Sequence, residues 1–166
     1  MPEQVAEEIA NNAIDHVASL TMSLLTFDAQ PHAVDDPRCT SIYSEVRKFT
    51  YYATRGVLFE GDSVHEYMIS LIPLYQSVCG GDAAVDGISE DADPETPLGL
   101  VICAGLARDR IARGEAVSAV ELAVLSDLSD RQVRQLIRDG EIAARGGKIS
   151  AKTAHRFLMT RKVPGF

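Results

Sequence analysis

Two short helices separated by only three residues constrain the fold of this chain more than any other feature of its sequence. Ser118 is a favourable N-cap, and Glu121 three positions later completes a capping-box pattern at the start of the first helix. Residues 126–128 have the right length for a turn that joins two helices at a steep angle. Ser129 then caps a second helix, which we predict over residues 130–139.

A hairpin and a further helix are predicted after this pair. Residues 141–145 and 148–150 have the pattern of two short strands, and the two residues between them, 146–147, are both glycine. Gly-Gly can take positive φ at both central positions of a tight hairpin turn. Ser150 is then the N-cap of a last helix, predicted over residues 151–161.

The second helix of the pair has two chemically different faces. Val133, Leu136 and Ile137 cluster on one side and favour burial. Long hydrogen-bonding side chains lie on the opposite side, at positions i, i+3, i+4 and i+7. Arginine can bond guanine O6 and N7 in a fork, and glutamine can do the same to adenine N6 and N7. The residues of this stripe are Arg131, Arg134, Gln135 and Arg138.

Residues 119–142 (AVELAVLSDLSDRQVRQLIRDGEI) resemble the helix-turn-helix family, and with the hairpin they look most like its excisionase and MerR-type winged subgroup. Ala123 sits where this family needs a small side chain, and Leu128 plugs the turn. Asp127 departs from the glycine of many members, but aspartate tolerates the left-handed conformation. The resemblance covers residues 117–161 and none of the first 110.

The resemblance implies a module that binds double-stranded DNA, with the second helix in the major groove. Side chains near the N-terminus of that helix are expected closest to the base edges. Arg138 is expected at a phosphate, and the hairpin tip at a neighbouring groove or the backbone. The expected DNA-binding residues are Ser129, Arg131, Gln132, Arg134, Gln135, Arg138, Arg145 and Lys148.

The net charge of −8 conflicts with DNA binding until it is divided along the chain. Residues 116–166 carry five acidic and nine basic side chains, whereas the first 115 residues carry nineteen acidic and seven basic ones. The two parts therefore have net charges of +4 and −12. Such an asymmetry indicates two regions with different electrostatic roles.

The first 114 residues predict an acidic helical domain. Its helices are expected over residues 5–24, 40–54, 63–79, with a kink or break at Pro73, and 98–113, and residues 80–97 are expected to form a loop or linker. The predicted fold class is mainly α, with this N-terminal helical domain at 1–114. A winged helix-turn-helix with a short β-hairpin wing follows at 115–166.

Other chemistry finds little support in the sequence. The cysteines at 39, 79 and 103 are widely spaced and suit a reducing cytosol, and no apolar run approaches the ~20 residues of a membrane span. The four histidines lack metal-ligand spacing, and no nucleophile and base are suitably paired. We therefore expect a cytoplasmic protein that is not an enzyme, has no cofactor or metal, and does not associate with membranes.

These features predict a sequence-specific DNA-binding protein, a bacterial or mobile-element transcription regulator. One such module reads few base pairs, so a homodimer is expected, formed through the helix at 5–24 or the one at 100–111. Two alternatives stay open. The N-terminal domain could bind a protein partner and make the chain an adaptor, or the chain could be an excisionase-like recombination factor. An adaptor should co-purify with a second protein, and an excision factor should bind and bend tandem sites.

Overall fold

The computed structural model describes residues 41–79 and 92–166, together with residues 11, 12 and 15. The described part is mainly helical and contains one small antiparallel sheet. Its elements in chain order are α1 (Ser41–Arg55), α2 (Val64–Cys79), α3 (Pro97–Ala112), β1 (Val117–Ser118), α4 (Ala119–Ser126), α5 (Asp130–Arg138), β2 (Ala144–Arg145), β3 (Lys148–Ile149) and α6 (Ala151–Thr160).

The helix α3 lies at the centre of this arrangement. It packs against α1, α2, α4 and α6, and ten of its residues are buried. Thr96 caps it by accepting a hydrogen bond from the Gly99 N–H, and Pro97 occupies the first turn, where a missing N–H costs nothing. Gly105 lets α1 approach closely, because a Cβ at this position would lie 2.1 Å from Cζ of Phe49.

The central position of α3 corrects one expectation from the sequence. Residues 100–111 were one of two segments expected to form a dimer surface. Its apolar side chains, such as Val101, Ile102 and Ile111, are instead buried by the chain itself. Most of the apolar surface of this segment is therefore already used within the chain. The other segment, residues 5–24, lies outside the described residues except at 11, 12 and 15, which are helical.

One hydrophobic cluster includes buried residues from both predicted domains. Phe49 of α1 and Leu98 of α3 belong to the same cluster as Leu122 of α4 and Leu158 of α6, and all four are fully buried. The boundary predicted at 114/115 falls in the connection between α3 and β1. It stays a prediction, and the elements on its two sides share a core.

The helices predicted at 40–54, 63–79 and 98–113 are confirmed to within one or two residues. The helix α2 continues through Pro73, so the break considered there does not occur. Of the predicted loop at 80–97, residues 92–96 are described and are not helical, and residue 97 begins α3.

The sheet has three strands in the order β1-β3-β2, all antiparallel. The predicted hairpin is present, with φ of 57° at Gly146 and 77° at Gly147. Its strands are shorter than predicted, since residues 141–143 and 150 are not part of them. The strand β1 was not expected from the sequence, which shows no strand-like alternation before residue 140. Val117 pairs with Ile149, and both side chains are fully buried. A two-residue strand is too short to show a period, so only its partner reveals it.

Arg108 of α3 ties the C-terminal residues to α1. Its Nε donates to the Ala53 carbonyl oxygen at 3.2 Å, and its Nη2 donates to the Pro164 carbonyl oxygen at 2.9 Å. The guanidinium carbon lies 4.3 Å from the ring centre of Phe166. Burial lowers the pKa of Arg108 to about 10, so the group stays charged at neutral pH without an ion-pair partner among the described residues.

Candidate nucleic-acid interface

The start of α4 is held by a carboxylate that serves two elements. Ser118 Oγ accepts a hydrogen bond from the Glu121 N–H at 3.2 Å, and Glu121 Oε2 accepts one from the Ser118 N–H at 2.7 Å. Glu121 Oε1 also accepts from Nη1 of Arg110, at the end of α3, at 2.7 Å. Because Glu121 is only 7% exposed, these partners replace the water its carboxylate has lost. The predicted capping box is confirmed, and it also fixes α4 to α3.

The turn between α4 and α5 depends on a left-handed residue. Asp127 has φ of 56° and ψ of 39°, which confirms that aspartate adopts the conformation usually given to glycine. Ala123 of α4 is buried, and its carbonyl accepts the Leu128 N–H at 3.1 Å. The Leu128 side chain packs partly buried against the core, as expected of the residue that plugs the turn.

A second capping box begins α5, and it involves a residue predicted to contact DNA. Gln132 Oε1 accepts the Ser129 N–H at 2.8 Å, while Ser129 Oγ accepts the Gln132 N–H at 3.2 Å. The Ser-x-x-Gln spacing of Ser129 and Gln132 is the sequence signal of this box, although the sequence analysis predicted only the N-cap. The side-chain oxygen of Gln132 is occupied by the cap. The side-chain NH2 group of Gln132 is therefore the part that can bind another molecule, as a hydrogen-bond donor.

The two faces of α5 are separated as the sequence indicates. Val133 is fully buried, and Leu136 and Ile137 pack partly buried against the core. The opposite face carries the four long polar side chains, all of them exposed: Arg131, Arg134, Gln135 and Arg138.

Three of these four side chains bind neighbours on the same helix. Arg134 Nε donates to Asp130 Oδ2 at 2.6 Å, and this bond raises the pKa of the guanidinium. Gln135 Nε2 donates to Asp139 Oδ1 at 2.7 Å, and Gln135 Oε1 accepts from Arg138 Nη2 at 2.5 Å. Such exposed pairs exchange readily for other acceptors.

Arg131 is different from its three neighbours on α5. Among the residues that the structure describes, none forms a hydrogen bond or ion pair with its guanidinium. It lies in the first turn of the helix, close to the N-cap Ser129. Its five donors are therefore available to an incoming acceptor.

The two predicted hairpin residues have different surroundings. Arg145 and Lys148 are cross-strand partners, and both are exposed. Lys148, however, also lines a cleft of about 540 Å³ together with the acidic residues Asp93, Glu95 and Glu121. The structure therefore brings Lys148, but not Arg145, next to the loop that precedes α3, although the two residues flank the hairpin turn from its two sides. Arg145 is the better placed of the two to meet an anionic partner.

The cleft beside Lys148 also contains Cys103, whose thiol is buried. Its Sγ donates to the Ala92 carbonyl oxygen at 3.0 Å, and burial raises the pKa of the thiol to about 11. A protonated thiol of this kind is a poor nucleophile at neutral pH. Within the described ranges, no three or more His, Cys, Asp or Glu side chains are grouped so that they could hold a metal ion.

Within residues 41–79 and 92–166, every helix is too short or too polar to cross a lipid bilayer.

Comparison of the chain with protein-family models, with curated proteins and with solved structures finds no match.

Proposed function

We propose that this chain is a sequence-specific double-stranded DNA-binding protein whose residues 115–166 form a winged helix-turn-helix, and that it acts as a homodimeric transcription regulator. The observation that carries the proposal is the outer face of α5. Four long hydrogen-bonding side chains stand there on a helix that is capped at its start and anchored by a buried inner face.

In the proposed complex α5 enters the major groove. Arg131 in the first turn is the side chain best placed to reach a guanine edge, since it needs to break no internal bond first. Arg134 and Gln135 exchange their carboxylate partners for base edges or phosphates, and Arg138 near the end of α5 contacts the backbone. Arg145 at the hairpin turn contacts the adjacent backbone.

The distribution of charge supports this assignment. The part of the chain that carries α4, α5 and α6 has a net charge of +4, whereas the rest has −12. Duplex DNA attracts the first part and repels the second, so contact is confined to one end of the molecule.

Selection of bound duplexes from a random oligonucleotide pool, using the full-length protein, tests the proposal. A homodimer should enrich two half-sites in inverted orientation, with centres about 10 base pairs or a multiple apart. Tandem half-sites bound with a bend would favour the recombination-factor alternative. Failure to enrich any motif at low salt would refute sequence-specific binding.

A further inference from the structure

The C-terminal part of the chain is its most strongly basic part. Residues 142–166 contain six lysine and arginine residues and no aspartate or glutamate. Two of the six, Arg145 and Lys148, lie in the hairpin already described. The other four lie on α6 or directly after it: Lys152, Arg156, Arg161 and Lys162.

The helix α6 separates these charges from the core. Its buried side, Ala151, Ala154 and Leu158, belongs to the core cluster, and the helix packs against α3 and α4. Lys152 and Arg156 lie on the opposite side, one helical turn apart, and both are exposed. Their positions on the helix axis differ by about 6 Å.

Lys152 and Arg156 differ from several other basic side chains of the described part. Arg110, Arg113 and Arg134 each bind a carboxylate. No described residue forms an ion pair with Lys152 or Arg156. Like charges placed together on a surface repel one another, so an unneutralised row of this kind fits a polyanionic partner.

The row also begins where the hairpin ends. Only Ser150, the N-cap of α6, separates Ile149 of β3 from the helix, and Lys152 lies in the first turn. Lys152 is therefore only three residues along the chain from Ile149, the last residue of the hairpin.

We infer that the exposed face of α6 formed by Lys152 and Arg156 is a second DNA-contact surface that binds backbone phosphates without regard to sequence. This inference rests on the proposed function. Base reading belongs to α5, and α6 supplies affinity that is strongly dependent on salt.

The test measures binding of full-length protein to a selected duplex and to an unrelated duplex by fluorescence anisotropy between 50 and 200 mM salt. The double variant Lys152→Gln/Arg156→Gln loses two phosphate contacts, so the slope of log Kobs against log salt should fall by about 1.8. Over this fourfold range of salt the wild type should then lose about twelvefold more affinity than the variant. The ratio of specific to non-specific affinity should not change.

Arg47→Gln is the control, because Arg47 is an exposed helical arginine on α1. Like each of the two changes on α6, it removes one positive charge. Its slope should equal that of the wild type. An unchanged slope in the α6 variant would overturn the inference while leaving the proposed function intact. A loss confined to the selected duplex would also overturn it, since it would make α6 a base-reading element. Absence of duplex binding by the wild type would refute the proposed function itself.

Discussion

Arg131 is the side chain on which the proposed base reading depends most directly. Its neighbours on α5 are already engaged with Asp130, Asp139 or each other. Replacing Arg131 with alanine removes a guanidinium that binds no other described residue. Arg131→Ala is therefore expected to weaken binding to the selected duplex by about 1–3 kcal/mol and to relax preference at one base pair.

Titration of the variant against duplexes that differ at each position of the selected site measures both effects. Arg47→Ala on α1 serves as the control and should bind like the wild type. Unchanged affinity and unchanged preference in Arg131→Ala would show that α5 does not lie in the groove as proposed.

Asp127 permits a test of the turn alone, independent of any ligand. Its φ of 56° is tolerated by aspartate and costs a β-branched residue more. Asp127→Val should lower the free energy of unfolding by about 1–2 kcal/mol, and Asp127→Gly should not lower it. Asp139 caps the end of α5 at an ordinary φ of −77°, so Asp139→Val is the control. Equal losses at the two positions in urea unfolding would contradict this account.

At the scale of the elements, the connection between α1 and α2 is held by the carboxylate of Asp62. Asp62 accepts a hydrogen bond from the Tyr67 hydroxyl and pairs with Lys48, whose Nζ lies 3.0 Å from Oδ2. The Tyr67 hydrogen bond, followed by the one from Lys48, lowers the pKa of Asp62. The pKa of Asp62 is therefore lower in the folded protein than in the unfolded chain. The ionised carboxylate stabilises the fold at pH values above the unfolded-state pKa, and this contribution is lost as the pH falls through the folded-state pKa.

Asp62→Asn should therefore be less stable than the wild type near pH 7, and the difference should disappear as the pH is lowered through about 4 and below. Thermal unfolding at several pH values measures this convergence. Glu60→Gln, a neighbouring exposed change, should track the wild type at every pH. A stability gap for Asp62→Asn that persisted at pH 2 would contradict the linkage.

Elements with strong local signals were predicted correctly from the sequence. Ser118 and Ser129 each begin a helix, and the glycines at 146 and 147 form the hairpin turn. β1 was missed because its pairing with Ile149 is made across about thirty residues of chain and leaves no local period. The site residues of α5 were predicted as a face, but their bonds to Asp130 and Asp139 depend on rotamers that the sequence does not specify.

At the scale of the whole molecule, packing around α3 is the feature that sequence patterns could least predict. Burial on nearly all sides erases the amphipathic pattern by which a surface helix is recognised. Arg108 is the clearest case, since arginine is seldom buried and this one is 3% exposed. Its partners at Ala53 and Pro164 are more than fifty residues away in each direction.

Arg108 therefore gives a test of how residues 163–166 are held against α1. Arg108→Lys keeps the charge but cannot donate in a planar fork to both carbonyls or stack on Phe166 in the same way. The variant should lose about 1–3 kcal/mol of unfolding free energy and expose residues 163–166 to carboxypeptidase. Arg161→Lys, at an exposed position, should change neither property. Wild-type stability and protease resistance in Arg108→Lys would contradict the role given to this side chain.

The shared carboxylate of Glu121 predicts how mutations on two different elements combine. One oxygen of its carboxylate closes the cap of α4, and the other binds Arg110 at the end of α3. Changes at Ser118 and Arg110 thus disturb the same group from two sides, although they lie on different elements. Their effects should be epistatic rather than additive, and a suppressor of either one is to be sought at Glu121.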